Sequence, residues 1–301
     1  MGPQKALIRL LTVFSLLRTS FAQTWTPCNP LNTTNCPKDP ALGTNATFNF
    51  AVQHADPVIW NTTAGSMAYD GRGAQFTIHE SGDSPTIQST FYIFFGVVSV
   101  IMQAANGTGI ISSIVLESDD LDEVDWEFMG GNTTHVETNF FGKGNTTLYD
   151  RSIYYPMAEF AADNGNGTSP QAGWHNYTTH WTSEKIEWWI DGKLARTLNY
   201  DDPLTLGGQN YPQTPCTIRL GIWAGGDPKE SPGIIQWAGG ETDFKKAPFS
   251  MFVQQVYAQD FSTGAEYYTY GDTSGSWQSI KVAEYVLPSL PQIPRTELAD
   301  N

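Results

Sequence analysis

The stretch Leu121-Asp122-Glu123-Val124-Asp125-Trp126-Glu127-Phe128-Met129-Gly130 alternates acidic and apolar residues from 123 to 128. That period is a strand's, in which the side chains of i, i+2 and i+4 share a face. Glu123, Asp125 and Glu127 are therefore expected on one face, and Val124, Trp126 and Phe128 on the other. The apolar face packs inward. Three adjacent carboxylates repel one another, and a face that needed only solubility would mix signs.

The rest of the chain is written in short β-rich runs. Thr47–Val52, Gln75–His79, Thr86–Phe95, Gly96–Gln103, Ile110–Leu116 and Val136–Phe141 are dense in β-branched and aromatic residues. Ser152–Tyr155, Trp174–Trp181, Lys185–Ile190, Cys216–Trp223 and Phe249–Ala258 follow the same pattern. Asp191-Gly192 predicts a hairpin turn leading into Lys193–Leu198. No long amphipathic helix, internal repeat or low-complexity run interrupts this series. The expected fold is all-β, with two stacked antiparallel sheets.

Met1 to Ala22 has the form of a secretory signal peptide. Lys5 and Arg9 precede an apolar Leu10–Leu17, and Ser20-Phe21-Ala22 offers a small-x-small cleavage site before Gln23. No later run has the length of a membrane span, and the C-terminal stretch from residue 286 is Pro-spaced and polar. Asn32, Asn45, Asn61, Asn106, Asn132, Asn145, Asn166 and Asn176 each begin Asn-x-Ser/Thr. Chance would give about three such sites, so an exported glycoprotein is expected. Cys28 and Cys36 bracket a small loop and read as a disulfide in an oxidising compartment, which leaves Cys216 as a buried small hydrophobe.

A net charge of -15 argues against nucleic acid or an anionic membrane as partner, and fits a neutral polymer. No His-Glu-x-x-His, Cys-x-x-Cys, Gly-x-Ser-x-Gly or phosphate-binding glycine loop is present. Asp119, Asp120 and Asp122 raise calcium, but acids in a strand-leading turn are common, and no metal or cofactor is expected. Four strand residues span ~13 Å. Glu123 and Glu127 leaning inward would bring their carboxyls to ~5–6 Å, near the ~5–5.5 Å of a retaining glycosidase. Trp223 and Trp237 stand beside Gly-rich turns rather than in apolar runs, as saccharide-stacking indoles do. Of the adjacent Trp188 and Trp189, at least one belongs to the core.

The acidic stretch resembles the Glu-x-Asp-x-Glu signature of glycoside hydrolase family 16. The wider match resembles the fungal Crh-type cell-wall transglycosylases, which join chitin to β-glucan. It rests on Cys28-Asn-Pro-Leu31, Cys36–Gly43, Gly109–Ser113, Thr138–Gly144, Tyr149-Asp-Arg151, Pro212–Pro215, Leu220–Pro228 and Trp237–Gly240. The resemblance implies a concanavalin A-like β-jelly-roll sandwich with a concave substrate groove. It implies Glu123 as nucleophile, Glu127 as acid/base, Asp125 as their assistant, and Trp223 and Trp237 as sugar-stacking positions. Asn139, Tyr149 and Arg151 fall in matched runs and are taken as further substrate-binding positions. Many relatives carry a basic residue where Gln103 stands. The organisation expected is a signal peptide at 1–22, a catalytic domain at 23–285 and a tail at 286–301. The protein is read as a secreted monomer whose partners are polysaccharides, chitin as donor and β-glucan as acceptor. A mainly hydrolytic chitinase or β-glucanase, and a silent lectin-like wall protein, are the alternatives.

Overall fold

The computed structural model describes residues 26–147, 150–160 and 167–285. The signal peptide, the C-terminal tail, Tyr149 and Asn166 lie outside the described residues. Strands β1 (Asp39–Pro40), β2 (Asn45–Asn49), β3 (Trp60–Ala64), β4 (Met67–Asp70), β5 (Gly73–Ile78) and β6 (Thr86–Ser89) come first. Next are β7 (Gly96–Gln103), β8 (Ile110–Ser118), β9 (Glu123–Met129), β10 (His135–Phe141), β11 (Ile153–Pro156) and β12 (His175–Trp181). The last are β13 (Lys185–Ile190), β14 (Lys193–Asn199), β15 (Cys216–Ala224), β16 (Phe249–Asp260), β17 (Ala265–Tyr270) and β18 (Ile280–Glu284). Among the described residues, one short α-helix, α1 (Pro232–Trp237), and four single-turn 3-10 helices join them.

Two large antiparallel sheets stack as expected. One runs β11-β10-β9-β8-β15-β6-β3; the other runs β14-β13-β12-β7-β16-β5-β4, with β2 added on β16. A small β1-β17-β18 sheet lies beside them in the chain's pairing order. The core between the large sheets takes Ile114, Leu116, Val124, Trp126, Phe128, Ile218, Leu220 and Ile222 from the first. From the second it takes Val100, Met102, Tyr177, Trp181, Trp188, Met251 and Val253. The core-facing residues of β8, β9 and β15 are thus removed from water, each large side chain contributing roughly 1.5–3 kcal/mol.

Trp188 is fully buried and Trp189 half-buried, and the strand slips register between them. Cys216 is buried and free, and Cys28 is bonded to Cys36. At the hairpin tip Asp191 and Gly192 both take positive φ, 48° and 79°, the backbone that a two-residue turn of this hand needs.

Thr86–Phe95 is not one strand. Pairing stops at Ser89, whose hydroxyl donates to Phe91 O and accepts from Ile218 N. The chain then bends, bridges Tyr92 to Ala41 and Ile93 to Cys216, and turns at Phe95 with φ 61°. Its apolar residues thus close one side of the sandwich instead of extending the sheet. Strands β3, β4, β17 and β18 were not expected, because polar or exposed residues interrupt their alternation. Pairing to neighbours makes them strands.

Candidate active site

The acidic strand is anchored from behind. Trp126 packs on Tyr177 with ring centroids 5.4 Å apart, and Phe128 on the same ring at 4.6 Å. Trp126 Nε1 donates to Thr179 Oγ1 at 3.0 Å, and Trp188 Nε1 donates to Asp125 O at 3.2 Å. Its entry is fixed by Asp122, which accepts from the backbone N–H of Lys143, Gln213 and Thr214. Leu121, just before it, sits at φ 66°, a costly conformation for a branched residue that these bonds hold in place. The Asp122 carboxylate therefore ties two loops to the root of β9.

The strand register carries this order across the front face. In one row Tyr154, Glu137, Glu127, Ser113, Gly221 and Thr86 stand side by side on β11, β10, β9, β8, β15 and β6. The next row holds Asn139, Asp125, Val115, Arg219 and Gln88. A third holds Phe141, Glu123, Glu117 and Thr217. The small Ser113 and Gly221 leave depth beside Glu127. A groove of about 1570 Å³ runs over this face, and Glu117, Glu123, Asp125, Glu127, Asn139, Trp223 and Trp237 line it. That space is large enough for several sugar rings.

Burial and crowding raise Asp125, Glu127 and Glu137 above the ordinary carboxylate range. Asp125 is pushed up to about 8, by burial first and then by Glu137 and Glu117, against a lowering pull from Arg151. Glu127 is raised well above the ordinary carboxylate range by burial, Glu137 and Asp125. Glu137 is raised by burial, while hydrogen bonds from Tyr154, Trp237 and Ser152 pull it back. Like charges this close cannot all ionise, so the face holds at least one protonated carboxyl near neutral pH. Asp125 Oδ1 has no hydrogen-bond partner among the described residues.

Trp223 and Trp237 are half-buried and stacked, with centroids 6.1 Å apart and planes 26° apart. Trp237 reaches the wall from α1, which starts at Ser231 with Pro232 at its first position. Asn139 lies in the groove beside Asp125, its Oδ1 accepting from Phe140 N. Arg151, expected to bind substrate, is instead buried and is not among the residues that line the groove. It is 2% exposed, donates to Asn210 Oδ1 and Asn145 O, and lies over the Phe141 ring. It is a buried cation behind the acids. Glu117, Glu137, Tyr154 and Arg219 went unread in the sequence. The available signal was the alternation Glu137-Thr-Asn139-Phe-Phe141, but only the register of β9 against β10 sets Glu137 opposite Glu127.

Residues 54–239 match the model for glycosyl hydrolases family 16, and the chain belongs to that family. Among curated proteins it is 61% identical over 262 residues to Crh-like protein 2 of Botryotinia fuckeliana, covering 87% of this chain and 55% of that protein. This chain thus spans little more than half of that relative's length. A solved structure, the Crh5 transglycosylase in complex with NAG, is 49% identical, with a TM-score of 0.78 over 85% of this chain and 100% of that one. A Bacillus licheniformis β-glucanase shares the fold alone, at 20% identity and a TM-score of 0.58, over 73% of this chain and 99% of that one.

Proposed function

We propose that this chain is a retaining cell-wall transglycosylase that cuts chitin and joins the released chain to a β-1,3- or β-1,6-glucan. Glu127 gives its proton to the glycosidic oxygen as the Glu123 carboxylate bonds to the anomeric carbon and the leaving sugar departs. An acceptor hydroxyl then attacks that carbon, Glu127 takes its proton, and the Glu123 ester bond breaks. Asp125, buried between them, orients Glu123 and shares the charge. Trp223, Trp237 and Asn139 seat the sugars, and filling the acceptor side raises the effective concentration of sugar hydroxyl over water.

The observation that carries this reading is that Glu123, Asp125 and Glu127 line one groove, with two stacked indoles in its wall. The NAG-bound Crh5 transglycosylase supports an N-acetylglucosamine-containing donor. Export is supported by the Cys28–Cys36 bond and by the sequon asparagines among the described residues, all exposed or half-buried. The catalytic unit is taken as 23–285, following a cleaved signal peptide, and the site of action as the fungal cell wall. Among the described residues, no helix is long and apolar enough to cross a membrane.

The test incubates the secreted protein with chitin oligosaccharides and a fluorescent β-1,3-glucan oligosaccharide, and separates products by size. Labelled products longer than the acceptor are expected, and Glu123→Gln should abolish them while saccharide binding persists. Shortened chitin alone would make the protein a hydrolase. No change in either sugar would leave a lectin.

A further inference from the structure

Glu137 is 1% exposed and faces Glu127 directly across the β9–β10 pair. Its Oε2 accepts from Trp237 Nε1 at 3.1 Å, and the Tyr154 hydroxyl and Ser152 also donate to its carboxylate. A neutral scaffold would hold the two rings as well with an amide. A carboxylate here instead sets a second acid against Glu127, at an electrostatic cost that needs a reason.

We propose that Glu137 is a positioning residue that ties the Trp237 indole to Glu127, so that the sugar seated on that indole is registered to the bond being cut and the negative charge of Glu137 keeps the proton on Glu127. The inference rests on Glu127 being the acid/base.

Burial raises Glu137 as well, but three donors pull it back, whereas burial and two neighbouring acids all work against ionisation of Glu127. Of the two, Glu127 is therefore the carboxyl that keeps its proton to higher pH, where the first step needs it. Trp237 and Tyr154 also line a smaller cavity of about 290 Å³ with Thr108, Met129 and Asn132, and Trp237 lines the main groove as well. The Glu137 bonds therefore fix a partition between two spaces, which a freely turning indole could not. Other ionisable groups around the pair are Asp125 and Glu123 on the same strand and Glu117 and Arg219 on the next two. Tyr154 stands on β11, and Arg196 and Arg151 lie behind.

Glu137→Gln keeps the shape and one acceptor but removes the charge. The alkaline limb of its pH–kcat/KM profile should move to lower pH by about one unit, because Glu127 then loses its proton earlier. Trp237→Phe keeps a ring but not the N–H, and should raise KM several-fold. Tyr154→Phe, at a position 42% exposed, removes one donor without threatening the fold. It should move the limb the same way by less, and it stands in should Glu137→Gln not fold. A Glu137→Gln enzyme that is only less stable, with its alkaline limb unmoved, overturns the proposal. Glu123→Gln is run alongside: if it stays active, the mechanism fails, and if it is inactive while the limb holds still, only the role of Glu137 does.

Discussion

The indole of Trp126 reaches across the sandwich to Thr179, Nε1 to Oγ1 at 3.0 Å, and fixes the back of the strand whose front carries the acids. Trp126→Phe should cost about 0.5–1.5 kcal/mol for the lost bond. Trp126→Ala should cost roughly 3–5 kcal/mol, because a large cavity would open beside Tyr177. Urea unfolding followed by tryptophan fluorescence measures both. The midpoint should fall in that order, and a Phe variant worse than the Ala variant would contradict this packing.

On the proposed mechanism, Glu127→Ala separates acid from nucleophile. With natural oligosaccharide donors the rate should fall about 10²–10⁴-fold. An aryl chitooligoside leaves without a proton, so its glycosyl-enzyme should still form, and added azide should attack it to give a β-glycosyl azide. Glu123→Gln should do neither. The anomeric configuration of the products, read by NMR, distinguishes the two variants, and a β-glycosyl azide from Glu123→Gln would reverse the assignment.

The acid strand was legible through its local alternation, which β7 and β12 also keep, and the sandwich through dense β-branched and aromatic runs such as β8 and β15. The edge strands were not. Asn61, Thr62 and Thr63 of β3 are exposed, and only pairing with β6 holds them extended. At the site, spacing alone revealed Glu123, Asp125 and Glu127, since one strand carries all three. Glu137 and Tyr154 join them through register between strands, which a one-residue slip would abolish and no single run encodes. Arg151 misled for a related reason. A motif says that a residue sits near the acids, but its guanidinium turned inward to Asn210 and Asn145, where it serves charge balance behind the sheet.

Asp39 gives the fold a pH dependence of definite sign. It is 2% exposed, its Oδ2 has no partner among the described residues, and burial with Asp119 and Asp120 pushes it up to about 8. In the unfolded chain it titrates near ~4. Between those values the unfolded state has lost its proton while the folded state keeps one, so stability falls as pH rises from about 4 to 8. The slope from this group is about 1.4 kcal/mol per pH unit at most. Asp39→Asn removes the linkage, so thermal unfolding should show a Tm gain at pH 8 well above any change at pH 4.5. Equal shifts at both would place the cause elsewhere.

The Cys28–Cys36 bond closes a loop with a sequence separation of 8, and Pro27 and Pro37, its flanking residues, line the groove where Asp39, Tyr92 and Asp119 stand. Closing so short a loop limits the unfolded chain by roughly 2–3 kcal/mol. The paired Cys28→Ser, Cys36→Ser variant should therefore lose stability of that order. The loop also shapes a part of the groove away from the Trp223–Trp237 wall, so freeing it should matter most to substrates that extend that far. The kcat/KM for long chitin oligosaccharides should drop several-fold, while donors that fill only the subsites over Glu123 and Glu127 lose little. Both are read from one series of chain lengths, and an equal loss at every length would mean that the loop supports the fold and not the groove.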